Sequence, residues 1–175
     1  MRFFIALELP EESVDQIAQV QRKVKQLIPQ ADLTLVNKLH LTMAFIGEQP
    51  ETIKERLIGS LAQAAEKIPP FSVTPAYIDG FPNLHHAHTL WLGVKGDTDK
   101  LMIVRERIKD GLEDLNLPVD ERRYTPHITI AKLPSGFSLT DQQEEEFQQL
   151  MISHSFNQIF IKALKLFESV PDEGF

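Results

Sequence analysis

The chain has 175 residues, 42% of them hydrophobic and 25% charged, which is ordinary for a globular protein that buries one large core or two closely joined lobes. It contains no cysteine, which excludes structural disulfides, zinc–thiolate sites and cysteine nucleophiles. The formal net charge of −7 argues against a long nucleic-acid footprint, which depends on neutralising many phosphates, but allows a single phosphate or a terminus to be bound.

The first segment, RFFIALEL at residues 2–9, predicts a buried strand that ends before Pro10. Its apolar run is too short, and too soon followed by acidic residues, for a signal peptide. No segment approaches the roughly 18 consecutive apolar residues of a membrane helix. We therefore expect a cytoplasmic protein that does not associate with membranes.

The predicted elements that follow alternate between helices and groups of short strands. Apolar residues at helical or alternating spacing define them, and turn residues mark their ends. In chain order they are a helix over 11–28, strands over 33–36 and 39–47, a helix over 51–67, strands over 71–78 and 88–94, a helix over 98–115 capped by Asp97, a strand over 126–133, a polar helix around 140–150, and strands over 156–164 and 165–170. This order predicts an α+β protein with helices packed on mixed or antiparallel sheets.

One short pattern occurs twice, 127 − 40 = 87 residues apart. HLTM begins at His40 and HITI begins at His127. The order of elements is similar around both copies, which predicts an internal duplication and a two-lobed, pseudo-symmetric fold. Because alternate residues of a strand face the same side, His40 shares a face with Thr42, and His127 shares one with Thr129. If the lobes pack symmetrically, these four side chains line one cleft.

Two imidazoles and two hydroxyl groups are suited to phosphoester hydrolysis. Histidine is the side chain whose ordinary pKa allows it to donate or accept a proton near neutral pH. One imidazole can take a proton from water while the other donates to a leaving oxygen, and threonine hydroxyls can donate to the phosphate oxygens. A single H-x-T pattern is common and usually structural, so the repetition at the same strand position is what favours catalysis.

The two tetrapeptides resemble the paired signature of the two-histidine phosphoesterase superfamily, and within it the LigT-like RNA 2′,3′-cyclic phosphodiesterases, formerly called 2′-5′ RNA ligases. Four stretches are similar to the family's opening strand, first catalytic strand, central segment and second catalytic strand, in that order: RFFIALELP, LHLTMAFIGE, FPNLHHAHTLWLGV and YTPHITIAK. The resemblance implies one two-lobed domain over residues 1–175, with two mixed or antiparallel sheets, outer helices and a central cleft.

The resemblance also implies an enzyme that opens an RNA-terminal 2′,3′-cyclic phosphate to a 2′-phosphate without a metal or cofactor, with weak reversible 2′-5′ ligation in some members. The matching positions make His40 the general acid and His127 the general base, with Thr42 and Thr129 holding the phosphate. The expected partners are RNA 3′ ends bearing the cyclic phosphate or small cyclic nucleotides, and a monomer is expected. The alternatives are a non-catalytic nucleotide- or RNA-end-binding module of this fold and an enzyme for other cyclic phosphates or 2′-5′ oligonucleotides.

The sequence departs from the family's pattern at three places. Lys132 stands where members usually have arginine; it keeps the charge but not the bidentate geometry. Strand parity places Lys132 with the core-facing Ile128 and Ile130, so it reaches the cleft only if the strand bends or ends there. His88 stands near a position where members often have arginine, and the family's C-terminal glycine-proline-tyrosine strand is missing or cut short in ESVPDEGF at residues 168–175.

Aromatic and basic residues near the motifs have two interpretations each. Phe4 could stack on a base, as aromatic side chains do in single-strand binding, or it could pack in the core. Trp91 is predicted to be a core residue. Arg122 and Arg123 could attract an RNA end, or they could be solvated surface charges.

A histidine cluster at His85, His86 and His88 could be imagined as a metal site together with His154. No pattern of carboxylate ligands accompanies these histidines in the sequence. A solvated loop is therefore the simpler interpretation, and no metal site is predicted.

Overall fold

The computed structural model describes residues 2–66, 69–118, 125–161 and 165–169. Within these ranges the chain forms eight strands, four α-helices and two short 3₁₀ helices. The strands are β1 (Arg2–Glu8), β2 (Asp32–Leu33), β3 (His40–Glu48), β4 (Phe71–Phe81), β5 (Thr89–Gly96), β6 (His127–Lys132), β7 (Ile159–Ile161) and β8 (Lys165–Ser169). The helices are α1 (Glu11–Leu27), α2 (Lys54–Ala65), α3 (Thr98–Asp114) and α4 (Asp141–Ser153), with 3₁₀ helices at Val36–Lys38 and Glu51–Ile53.

The predicted elements occur in the predicted order, and the differences lie at their ends. Only the first residue of the strand predicted over 33–36 lies in a strand, and the chain then leads into the 3₁₀ helix that begins at Val36. Strand β4 continues to Phe81, into the predicted loop. Asp97 occupies the N-cap position of α3, but its carboxylate accepts the Ser72 N–H at 3.1 Å instead of capping the helix. Parts of the predicted elements lie outside the described residues, at 67, 162–164 and 170.

All strand pairs are antiparallel, and they form one sheet in the order β7-β4-β5-β6-β3-β1-β8, with β2 beside β6. The predicted α+β class is confirmed. The two predicted sheets are two halves of one continuous sheet, which are joined where β3 pairs with β6. This join consists of two residue pairs, Leu41 with Ile128 and Thr42 with His127. It is short because the two strands overlap only at their first residues and then run apart.

The elements of the two halves recur at a constant spacing. The starts of β5, α3, β6 and α4 follow those of β1, α1, β3 and α2 by 89 − 2, 98 − 11, 127 − 40 and 141 − 54, which is 87 residues each time. The strand order agrees, because β6, β5 and β4 on one side of the join correspond to β3, β1 and β8 on the other. The structure therefore supports the predicted internal duplication, with a pseudo-twofold axis at the join.

The helices exchange between the two halves. Helix α1 follows β1 but packs against β6 and α4, whereas α3 follows β5 but packs against β3 and α2. The buried faces of α1 and α3 include Val20 and Val24 on the first helix and Val104 and Ile108 on the second. Each half of the sheet is thus covered by a helix from the other half, and the buried side chains form one core. Across the described ranges, every helix is too short or too polar to cross a lipid bilayer.

Candidate active site

The two H-x-T motifs meet at the join between the halves. His40 is the first residue of β3, and His127 is the first residue of β6. Thr42 lies opposite His127 in the strand pairing, and the same register carried one residue further sets His40 opposite Thr129. Opposed residues of an antiparallel pair project from the same face. The structure therefore brings the four predicted residues together on one face of the sheet, which we call the histidine face.

The histidines are diagonal to each other in this four-residue array, and so are the threonines. Diagonal neighbours on paired strands lie about 7–8 Å apart between their Cα atoms, which leaves room for one phosphate between the imidazoles. Thr42 is 5% exposed, and His40, His127 and Thr129 are partly exposed. Two imidazoles and two hydroxyl groups thus lie together on the histidine face, at a spacing that suits one phosphate.

The backbone two residues upstream holds each imidazole. Nδ1 of His127 lies 2.8 Å from the carbonyl oxygen of Thr125, and the His40 ring is hydrogen-bonded to the backbone of Lys38. A carbonyl oxygen can only accept, so Nδ1 of His127 carries the hydrogen of that bond. The neutral ring of His127 therefore has Nε2 as its basic nitrogen.

Burial lowers the pKa of both imidazoles below the ordinary value of 6.5. Desolvation is the main cause, since it disfavours the charged ring. The backbone hydrogen bonds to Lys38 and Thr125 oppose this effect, and the nearby charge of protonated His127 lowers the pKa of His40 further. The protonation of one histidine consequently makes protonation of the other less favourable.

Aromatic rings on the neighbouring strands support both histidines. Phe4 on β1 stacks on His40, with ring centroids 4.9 Å apart. Phe81 on β4 and Trp91 on β5 contact His127 edge-on, with centroids 5.2 and 5.8 Å away. Phe4 and Trp91 occupy equivalent positions of the two halves, since 91 − 4 = 87. These rings displace water from the imidazoles, which is the physical origin of the lowered pKa values.

Phe4 and Trp91 are both buried, which limits the access of a substrate to their rings. They are 3% and 4% exposed. The Phe4 ring is therefore covered, so the geometry favours support of His40 over direct stacking on a base. Trp91 is buried as predicted, but it lies on the histidine face, which sequence analysis missed. The 87-residue spacing from Phe4 was the signal that could have located it.

Lys132 reaches the histidine face because β6 contains a bulge. Thr129 and Ala131 pair with consecutive residues of β5, so Ile130 is an extra residue between them. One extra residue reverses the alternation of side chains along a strand. Lys132 therefore falls on the same face as Thr129, although simple parity placed it on the core face. The bulge is the bend that the sequence analysis required.

Strand β3 contains an equivalent bulge that brings Phe45 to the histidine face. Thr42 and Ala44 pair with consecutive residues of β1, so Met43 is the extra residue. The ring of Phe45 is 54% exposed. Phe45 and Lys132 are equivalent positions, since 132 − 45 = 87, so one half offers an exposed ring where the other offers a cation. Sequence analysis missed Phe45 because alternation alone cannot reveal the bulge.

The loop histidines bind separate partners. The contacts are His85 Nδ1 with Glu144 Oε2 at 3.7 Å, His86 Nδ1 with Ser138 Oγ at 3.0 Å, and His88 Nδ1 with Thr89 Oγ1 at 2.8 Å. A carboxylate therefore does lie beside His85, which the sequence did not indicate, whereas His154 contacts Phe156. No group of three or more potential metal ligands converges within the ranges given above.

Two predictions fall on residues that the structure does not describe. Arg122 and Arg123 lie outside the described residues, and so do residues 170–175 at the C-terminus. The backbone of β8, over residues 165–169, pairs with β1 from Arg2 to Ala6. This strand lies next to the one that carries Phe4.

The chain matches the 2′-5′ RNA ligase superfamily over residues 9–158, a stretch that contains both H-x-T motifs. The chain belongs to this superfamily. A relative with similar sequence is the RNA 2′,3′-cyclic phosphodiesterase of Methanocaldococcus jannaschii, which is 32% identical over 136 residues, covering 76% of this chain and 72% of the relative. The resemblance inferred from the motifs is confirmed.

Solved structures show the same fold. The structure of TT0787 of Thermus thermophilus matches 95% of this chain and 87% of that protein, with a TM-score of 0.76. The structure of E. coli LigT complexed with 3′-AMP matches 94% of this chain and 86% of that one, with a TM-score of 0.70. Both are 22% identical to this chain. The fold of these two proteins is therefore present across most of the sequence.

We predict that both imidazoles of the histidine face titrate below pH 6.5, because burial disfavours their charged forms. In His127→Gln the pKa of His40 should rise, since the variant removes a neighbouring positive charge. NMR titration of the imidazole carbons measures both values, with His86→Gln on the loop as a control that leaves them unchanged. A midpoint at or above 6.5 for either ring, or an unchanged His40 in His127→Gln, would contradict this electrostatic account.

Proposed function

We propose that this protein is an enzyme that hydrolyses the 2′,3′-cyclic phosphate at RNA 3′ ends to a 2′-phosphate, by acid–base catalysis between His40 and His127. The observation that carries the proposal is the diagonal array in which these imidazoles flank a space bounded by Thr42 and Thr129. The substrate is supported by the relative from M. jannaschii, which is an RNA 2′,3′-cyclic phosphodiesterase. The fold of E. coli LigT is consistent with this assignment.

The reaction requires two proton transfers on opposite sides of phosphorus. Nε2 of His127 takes a proton from water as the water oxygen attacks phosphorus. The bond from phosphorus to O3′ breaks, and His40 donates its proton to O3′. The products are a 2′-phosphate and a 3′-hydroxyl, and exchange of protons with solvent restores both histidines. The two histidines supply both transfers, so these steps need no cofactor or metal ion.

The hydroxyl groups and Lys132 are suited to hold the phosphate itself. In the proposed complex, Thr42 and Thr129 donate hydrogen bonds to the two nonbridging oxygens. Lys132 adds positive charge on the same face, although without the bidentate geometry that arginine would provide. The overall charge of −7 repels a polyanion. The proposed RNA contact is therefore short and confined to the terminal nucleotides.

The difference between the two halves supports the assignment of the acid and the base. The leaving O3′ belongs to the ribose, so the ribose and base lie on the side of the general acid. His40 is on β3, the strand whose bulge brings the exposed ring of Phe45 to this face, and such a ring can stack on a base. His127 is on the strand that carries Lys132, and it lies on the side from which water attacks.

The same geometry supports weak 2′-5′ RNA ligation. An RNA 5′-hydroxyl in place of water would attack phosphorus, lose its proton to His127 and form a 2′-5′ linkage as O3′ leaves.

The helix exchange between the halves further supports a single two-lobed domain over residues 1–175. We extend the proposal to a monomer that acts in the cytoplasm.

We predict that His40→Ala and His127→Ala each lower turnover of a cyclic-phosphate-ended RNA by about 10²–10⁴-fold, since each removes one proton transfer. The turnover of the double variant should be only a little lower than that of the less active single variant, because the histidines act as one unit. Turnover of RNA oligonucleotides and 2′,3′-cyclic AMP measures this, with His86→Ala as the matched loop control. A folded single variant with near-normal turnover would show that its histidine is structural, and an inactive wild-type protein would favour a binding module.

We predict that the product is the 2′-phosphate, because the base stacks on the Phe45 side and places O3′ beside His40. Chromatography of the products of 2′,3′-cyclic AMP against authentic 2′-AMP and 3′-AMP decides the question. Exclusive formation of 3′-AMP would show that O2′ leaves in place of O3′, which would contradict this orientation of the ribose while leaving two-histidine chemistry in place.

A further inference from the structure

A long polar side chain is buried next to the join of the two halves. Gln21 on α1 is 3% exposed. Its Nε2 donates hydrogen bonds to the carbonyl oxygens of Thr34 and Ile130, each at 2.9 Å. A buried amide is tolerated only where its hydrogen bonds are made. These two bonds therefore hold the side chain, and the two backbone segments that it contacts, in one arrangement.

The Ile130 carbonyl belongs to the extra residue of the β6 bulge. One edge of β6 pairs with β5. Along its other edge, β6 pairs first with β3 and then with β2, and Ile130 lies between these two ladders. The N–H of Thr34, the residue after β2, donates to the Ile130 carbonyl at 2.9 Å. Gln21 completes this small network, because its amide satisfies the Thr34 carbonyl and gives the Ile130 carbonyl a second donor.

The network connects β6, which begins with His127, to the segment that leads into β3, which begins with His40. Thr34 precedes His40 by 40 − 34 = 6 residues, and Ile130 follows His127 by 130 − 127 = 3 residues. The direct pairing between β3 and β6 consists of only two residue pairs. The hydrogen bonds of Gln21 thus act just beyond this short join, between the β3–β6 pairing and the β2–β6 pairing.

The pseudo-twofold axis shows that the core does not require a polar residue at this position. The equivalent residue of α3 is Ile108, since 21 + 87 = 108, and it is a buried apolar side chain. The bulge on the Gln21 side carries Lys132, whereas the bulge on the other side carries Phe45. Both departures from symmetry therefore involve β6, since the buried amide of Gln21 donates to this strand and Lys132 belongs to it.

From this geometry we infer that Gln21 is a positioning residue for the active site. Through the Ile130 carbonyl it fixes the bulge that turns Lys132 toward the histidine face, and through Thr34 it fixes the entry to the His40 strand. It does not contact the substrate. The inference rests on the proposed function for its kinetic test, and on the backbone network alone for its structural test.

The kinetic test is a double-mutant cycle between Gln21 and Lys132. Gln21→Met keeps the size of the side chain but removes the donors, and Lys132→Met removes the cation. We expect Lys132→Met to lower kcat/KM for a cyclic-phosphate-ended RNA by about tenfold in the wild-type background and by less than about threefold in Gln21→Met. Val24→Ala, a core change on the same helix, should destabilise the protein without altering the effect of Lys132→Met.

The structural test is amide hydrogen exchange, which is independent of the substrate. The Thr34 amide should exchange at least about tenfold faster in Gln21→Met than in Val24→Ala, because its acceptor loses its fixed position. If Gln21→Met does not fold, Gln21→Asn, which keeps the amide but shortens its reach, replaces it in both tests.

Three results would overturn parts of this account separately. Unchanged exchange of the Thr34 amide would show that Gln21 does not hold the network. Faster exchange with an undiminished effect of Lys132→Met would show that Gln21 only stabilises the fold and positions nothing. An inactive wild-type protein would overturn the proposed function, while the exchange measurement would still decide whether Gln21 holds the bulge.

Discussion

The site depends on one short antiparallel contact, the two residue pairs through which β3 meets β6. Because both strands begin with a histidine and overlap only at their first residues, this contact sets the imidazoles and hydroxyls into a diagonal array. The helix exchange follows from the same arrangement, since α1 packs on β6 and α3 packs on β3. Each histidine strand is therefore supported by a helix from the opposite half, and the array cannot change without disturbing the common core.

The proposed reaction is asymmetric although the array is symmetric, and the side chains around the array differ between the two halves. Phe4 and Trp91 are equivalent in position, and each removes water from a histidine ring, Phe4 by stacking on His40 and Trp91 by contacting His127 edge-on. Phe45 and Lys132 are also equivalent in position but differ in chemistry, and in the proposed complex Lys132 lies toward the phosphate and Phe45 toward the base. In the proposed mechanism, the two equivalent histidines form the acid–base pair, and the positions that differ between the halves orient the substrate.

The sequence was sufficient to predict the residues whose placement depends on simple periodicity. The spacing of two residues along each strand predicted that His40 shares a face with Thr42 and His127 with Thr129, and the repetition of the motif predicted that the two pairs meet. Features that depend on strand register could not be predicted in this way. The bulges at Met43 and Ile130 reverse the alternation, so Phe45 was missed and parity misplaced Lys132. Asp97 lies at the predicted N-cap position, but its carboxylate accepts a hydrogen bond from the backbone N–H of Ser72, which is distant in sequence, and does not cap the helix.

The central claim, that His40 and His127 divide one acid–base reaction between them, is tested most directly by the pH dependence of kcat/KM. One histidine must be protonated and the other neutral, and burial lowers the pKa of both. The account predicts a bell-shaped profile. At low pH, kcat/KM falls because the general base, His127, becomes protonated. At higher pH, kcat/KM falls because the general acid, His40, loses its proton, and this fall begins below pH 6.5. The residual activity of His40→Ala should lack the alkaline limb. A wild-type profile that stays flat from pH 5 to 8, or a His40→Ala profile that keeps both limbs, would contradict the claim.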